Sequence, residues 1–76
     1  MTARLPRVTA ARAARALERA GFIKVRQSGS HMICKNPQGK RTTIPYHSGK
    51  VLHPKVLLSI LRDVGLTVEE FIALMG

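Results

Sequence analysis

His31 ends the polar run Gln27-Ser28-Gly29-Ser30-His31 and opens the apolar run Met32-Ile33-Cys34. Histidine is the side chain whose ordinary titration range lets it take or give a proton near neutral pH. RNA supplies its own nucleophile, the 2′-hydroxyl. Its cleavage therefore needs a base for that proton, an acid for the leaving 5′-oxygen and cations for the charge on phosphorus. Residues for such chemistry lie close in sequence. Ser28 and Ser30 can donate hydrogen bonds, Lys24, Arg26 and Lys35 can hold phosphate, and His47 is a candidate second proton carrier. On residue chemistry alone, a histidine after a turn is more often an ordinary surface residue.

Other chemistries fit this sequence poorly. The four acids, Glu18, Asp63, Glu69 and Glu70, all fall in predicted helices, away from the strands and turns. Magnesium-dependent phosphodiester cleavage needs clustered carboxylates, so a two-metal nuclease is not expected. A zinc site would draw on Cys34, His31, His47 and His53. His31 and Cys34 are three apart on a predicted strand and point to opposite faces, and the spacing of known zinc sites is absent. No metal and no cofactor is therefore expected. A mid-strand Cys34 reads as a small buried hydrophobe rather than a nucleophile.

The hairpin needs elements around it to place His31. Thr9 is a plausible N-cap for a helix over 10–20. That helix carries the apolar stripe Ala10, Ala13/Ala14, Leu17 and Ala20 or Gly21, with Gly21 at its left-handed stop. Arg12, Arg15 and Arg19 share its opposite face. A first strand follows over 22–26, with Ile23 and Val25 on one side and Phe22, Lys24 and Arg26 on the other. Residues 27–30 turn the chain into a second strand over 31–36. Asn36-Pro37-Gln38-Gly39-Lys40 is a second turn. A third strand over 41–46 follows, and Pro45 puts it at a sheet edge or at its own end. After a loop over 47–53, Pro54 opens a helix carrying Val56, Leu57, Leu58, Ile60, Leu61 and Val64, stopped by Gly65. Thr67-Val68-Glu69-Glu70 matches a capping box before a last short helix with Phe71, Ile72, Leu74 and Met75.

The order α-β-β-β-α-α predicts an α+β two-layer domain: a three-stranded antiparallel sheet with helices on one face and the other face open. Met32 and Cys34 are expected to face the helices, leaving His31 and Lys35 exposed. With 76 residues, residues 1–76 make a single domain with one thin core layer. The 45% hydrophobic content is enough for that core.

Charge narrows the partner class. Thirteen Lys and Arg against four Asp and Glu leave a formal +9, and all the cations except Arg62 lie at or before Lys55. This footprint suits a polyanion, most often nucleic acid, over a merely solvated surface. The single cysteine fits a reducing cytoplasm. Met1-Thr2-Ala3-Arg4-Leu5-Pro6-Arg7 has no apolar stretch behind its charges, which argues against a signal peptide. No run has the ~20 apolar residues a membrane span needs.

The sequence also resembles the HicA toxin family, the small mRNA interferases of bacterial toxin–antitoxin pairs. The matching features are Leu17-Glu18-Arg19-Ala20-Gly21-Phe22, Arg26-Gln27-Ser28-Gly29-Ser30-His31, Asn36-Pro37-Gln38-Gly39-Lys40-Arg41 and Ile44-Pro45-Tyr46-His47. Leu57-Leu58-Ser59-Ile60-Leu61-Arg62-Asp63-Val64-Gly65-Leu66-Thr67 matches too, with Glu70-Phe71 after it. Together they span about 9–74. Leu52-His53-Pro54-Lys55-Val56, before the second long helix, departs from the family pattern.

The resemblance implies a fold similar to the double-stranded-RNA-binding domain. It implies metal-independent cleavage of mRNA in the cytoplasm, neutralisation by a HicB-type antitoxin, and His31 as the catalytic histidine. The reading of residue chemistry adds Ser28, Ser30 and His47 as supporting groups. Arg12, Arg15, Arg19, Lys24, Arg26, Lys35, Lys40 and Arg41 would draw in RNA.

Two rival readings use the same residues differently. A non-catalytic RNA-binding module would treat His31 as a phosphate or 2′-hydroxyl contact. A helix-turn-helix DNA binder would read bases with its last helix, but Glu69, Glu70, Phe71, Ile72, Leu74 and Met75 include no base-reading Arg, Asn or Gln.

Overall fold

The computed structural model describes residues 4–76, so the first three residues of the irregular N-terminal stretch lie outside the described part. The elements are α1 (Ala10–Arg19), β1 (Ile23–Ser28), β2 (His31–Lys35), β3 (Arg41–Pro45), α2 (Pro54–Val64) and α3 (Val68–Met75). The strands form one antiparallel sheet in the order β1-β2-β3, which is the predicted α+β arrangement. Among the described residues no helix is long and apolar enough to cross a membrane.

Local chemistry sets the ends of α1. The Arg12 N–H donates to Thr9 Oγ1 at 3.3 Å. At the other end Gly21 adopts φ +92°, which lets the Gly21 N–H reach the Glu18 carbonyl and the Phe22 N–H reach the Leu17 carbonyl, both at 2.9 Å. These two bonds form a Schellman stop. They reverse the chain directly into β1 and bury Phe22 beneath it. The buried stripe of α1 is Ala10, Ala13, Ala16 and Leu17. Ala16, which lines the cleft toward Leu74 and Met75 of α3, joins the predicted stripe, and Ala14 and Ala20 are partly buried against the same core.

The remaining helices use the predicted signals. Pro54 is the first residue of α2 and Gly65 closes it in the left-handed region at φ +75°. Its cap was not expected: His53 Nδ1 accepts from the Lys55 N–H at 3.1 Å. The box at α3 is complete. The Glu70 N–H donates to Thr67 Oγ1 at 3.0 Å, and Glu70 Oε1 accepts from the Thr67 N–H at 2.8 Å. Phe71, fully buried, carries α3 into the core.

The helices cover one sheet face. Met32, Cys34, Thr42 and Ile44 are buried against Leu17, Leu57, Ile60 and Leu61. Thr42, the one buried polar residue of this face, donates its hydroxyl to Asp63 of α2 at 3.0 Å, which ties β3 to the helix layer. The stretch before α1 is less irregular than expected. Val8 is buried, Thr9 bridges to Val51, and the Leu52 N–H donates to the Val8 carbonyl at 2.8 Å.

Burial pushes the Cys34 thiol above its ordinary range; the charge of Glu18 adds to this and that of Lys24 opposes it. A folded-state value above the unfolded one means that the folded chain keeps a proton the unfolded chain releases. This contribution is fully present below the ordinary thiol value of 9.0 and is lost as pH rises past it. Alkylation of Cys34 by iodoacetamide at pH 8 is expected to run at least ~10-fold slower on the folded protein than on the denatured chain. Mass spectrometry of a time course reads this directly, and equal rates would contradict the burial.

Candidate active site on the open sheet face

Strand register defines the open face residue by residue. On β2, His31, Ile33 and Lys35 point away from the helices, while Met32 and Cys34 are buried. Ser28 and Pro45 pair with His31, Thr43 with Ile33, and Ile23 and Arg41 with Lys35. Arg26 also pairs with Ile33, across a register shift between Lys24 and Arg26. The face is thus a grid of three rows: Ser28–His31–Pro45 at the hairpin end, Arg26–Ile33–Thr43 in the middle, and Ile23–Lys35–Arg41 at the far end.

That register shift corrects the predicted position of Arg26. Unbroken alternation would put Arg26 with Lys24 on the helix side. Ile23 and Ser28 both belong to the open face, yet they are five residues apart. A period of two allows this only if one extra residue is inserted, here Val25. The insertion is a β-bulge. It swings Arg26 onto the face of His31, as the diagonal neighbour of the imidazole about 7–8 Å away between backbones.

The turn is also tighter than predicted. β1 runs through Gln27 and Ser28, so only Gly29 and Ser30 lie between the strands. Gly29 takes φ +58° and Ser30 has no positive φ, the residue order of a type II′ hairpin. Such a turn matches the twist of the strands and fixes the pairing of Ser28 with His31. The Tyr46 N–H donates to the Ser30 carbonyl, which anchors the start of β2 to the end of β3. His31 is exposed at this braced corner, Ser30 is half-buried, and His47 is exposed two residues beyond Pro45. Pro45 ends an edge strand, as expected.

The predicted cations divide between surfaces. Arg26, Lys35 and Arg41 share the open face with His31. Lys24 pairs with Cys34 on the other side and lines a groove with Arg15 and Glu18. Arg12, Arg15 and Arg19 line a cleft against Leu74 and Met75 of α3. There the Arg19 guanidinium donates to the Leu74 carbonyl at 2.6 Å and satisfies the end of that helix. Lys40 lies in the β2–β3 turn, where its backbone N–H donates to Asn36 Oδ1 at 2.8 Å. The Lys40 ammonium lies so close to Gly65 that a Cβ there would come within 2.9 Å of it, beside the negative end of α2. Arg19 therefore also holds a helix end.

Thr43 was not singled out from sequence, although the alternation Arg41, Thr43, Pro45 implies its face once β3 is set as an edge. Its hydroxyl is exposed diagonally from His31. The acids lie on α1, α2 and α3 as expected, and Asp63 and Glu70 are committed to Thr42 and to the α3 cap. Among the described residues, no three His, Cys, Asp or Glu side chains gather closely enough to hold a metal ion.

A family model described as the HicA toxin of bacterial toxin–antitoxin matches residues 10–66. The matched stretch runs from the first residue of α1 to the residue before the α3 cap, so Glu70-Phe71 falls outside it. No curated protein matches the sequence.

Proposed function

The chain belongs to the HicA toxin family of bacterial toxin–antitoxin systems, and on that premise we propose that it is a metal-independent endoribonuclease of the cytoplasm. It cleaves mRNA with His31 as the catalytic residue and is neutralised by a HicB-type antitoxin. The observation that supports this most is the open-face corner. His31 is exposed and pairs with Ser28 across the two-residue hairpin, and the bulge at Val25 puts Arg26 on the same sheet face, diagonal to His31 in the register.

The 2′-oxygen of the ribose forms a bond to phosphorus while the bond from phosphorus to the 5′-oxygen breaks. The 2′-hydroxyl proton passes to a base, and a proton from an acid passes to the departing 5′-oxygen. His31 carries one of these transfers. His47, exposed past the end of β3, is the candidate for the other. Arg26 lies nearest the phosphate and offsets the charge that builds on its oxygens. Ser28 and Thr43 offer hydroxyls at the same end of the sheet. Lys35 and Arg41 continue the positive track away from the reacting bond, and Lys24, Arg12 and Arg15 add to the longer-range field.

The products are a 2′,3′-cyclic phosphate and a 5′-hydroxyl. Incubation of the purified protein with single-stranded RNA in excess chelator is expected to give fragments with those ends. Intact RNA, or fragments bearing 5′-phosphates, would overturn the proposal. RNA that is bound but never cut would favour the non-catalytic module.

A further inference from the structure

One corner of the open face is left over from this chemistry. Ile23 is 60% exposed and Val25 is 52% exposed, adjacent in space on β1, one of the two edge strands of the sheet. With Gly21, Lys35, Asn36 and Pro37 they line a groove of about 250 Å³. Edge strands usually carry charges or prolines that discourage association, and here the outward side chains at the start of the strand are aliphatic. The bulge keeps both on the outer face, where they cannot reach the core. Lys35 and Arg41 stand beside the groove, and the acids of the chain lie on the helices.

We infer that this groove is the anchoring site for the antitoxin, which places there an acidic segment bearing large aliphatic side chains. The inference rests on the toxin reading above and adds the location and chemistry of the contact. RNA would have no use for two exposed aliphatics, since its recognition relies on phosphate charge, stacking and base edges. An acidic protein segment matches both the apolar floor and the basic rim. His31 lies four residues from Lys35 along β2, about 13 Å at the rise of a strand. A segment anchored at Ile23 and Val25 and continuing four or five residues across the grid therefore covers the imidazole.

The test uses the full chain carrying Ile23→Thr, which keeps a β-branched side chain on the strand and leaves the bulge residue Val25 in place. Ile23→Val, which removes one methylene, serves as a second variant less demanding of the fold. Binding to the purified HicB-type antitoxin is measured by calorimetry, and RNA cleavage is measured in parallel. Antitoxin affinity is expected to fall at least ~10-fold in Ile23→Thr and by a smaller factor in Ile23→Val, with cleavage within ~3-fold of the parent and an unchanged circular-dichroism spectrum. Unchanged antitoxin affinity would overturn the inference, as would lost cleavage with antitoxin binding retained, which would make the groove an RNA contact. If the unsubstituted chain itself fails to bind the antitoxin, the partner assignment fails first and this surface with it.

Discussion

Replacing His31 with alanine is expected to slow RNA cleavage by about 10²–10⁴-fold, the range typical of removing a positioned general acid or base. The domain should remain folded. His31 is exposed at the first position of β2, and truncating a surface side chain usually changes stability by no more than about 0.5 kcal/mol. RNA binding should fall only a few-fold, because Arg26, Lys35 and Arg41 on the same face and the cations of α1 remain. Single-turnover cleavage alongside a binding titration at fixed salt separates the two effects, and the salt must be stated because phosphate contacts make affinity steeply salt-dependent. A variant that cleaves like the parent would remove His31 from the mechanism. Binding and cleavage falling together by the same factor would make it a binding contact. Ser28→Ala and His47→Ala, measured beside it, rank the supporting groups.

Where sequence reasoning succeeded, the determinants were local. Thr9, Gly21, Pro54, Gly65 and the Thr67–Glu70 pair each act on backbone groups within a few residues, so their chemistry shows in a short window. The turn over Asn36 to Lys40 belongs with them: Gly39 takes φ +89° and the Asn36 side chain closes onto the Lys40 N–H. Alternation separated His31, Ile33 and Lys35 from Met32 and Cys34 but did not say which set is buried, since each contains apolar residues; the structure buries Met32 and Cys34.

What stayed hidden depends on partners distant in the chain. Ile23-Lys24-Val25-Arg26-Gln27-Ser28 reads as a regular strand. Its bulge is required only by the combination of a two-residue turn at Gly29-Ser30 and a common face for Ile23 and Ser28, and neither condition is local. The bulge is nonetheless what puts Arg26 beside His31 and leaves Ile23 and Val25 on the outside, so both the candidate site and the proposed docking groove turn on it. The second duty of Arg19 was equally out of sight, since its acceptor, the Leu74 carbonyl, belongs to the far end of the chain.

Phe71→Ala is expected to be the most damaging single change to the fold. The ring is fully buried, and truncating such a phenylalanine costs about 3–5 kcal/mol. At roughly 0.05–0.15 kcal/mol per residue, a domain of 76 residues has about 4–11 kcal/mol to lose. The loss should lower the melting temperature by roughly 12 °C or more, whereas Leu58→Ala, at a site 42% exposed, should shift it by only a few degrees.

The consequence reaches the open face although Phe71 is far from it in sequence. Phe71 pins α3 against α1, and α1 in turn covers Met32 and Cys34, whose burial holds β2 with His31 facing outward. The residues matched by the family model stop at 66, before this anchor. A chain ending there would keep His31, Arg26 and the hairpin but leave Leu17 and the α1 flank facing water, so it should not fold on its own. Thermal unfolding of Phe71→Ala and of the shortened chain checks this. A shortened chain that melts cooperatively near the parent temperature would show that α3 is an appendage and that the sheet is held by α1 and α2 alone.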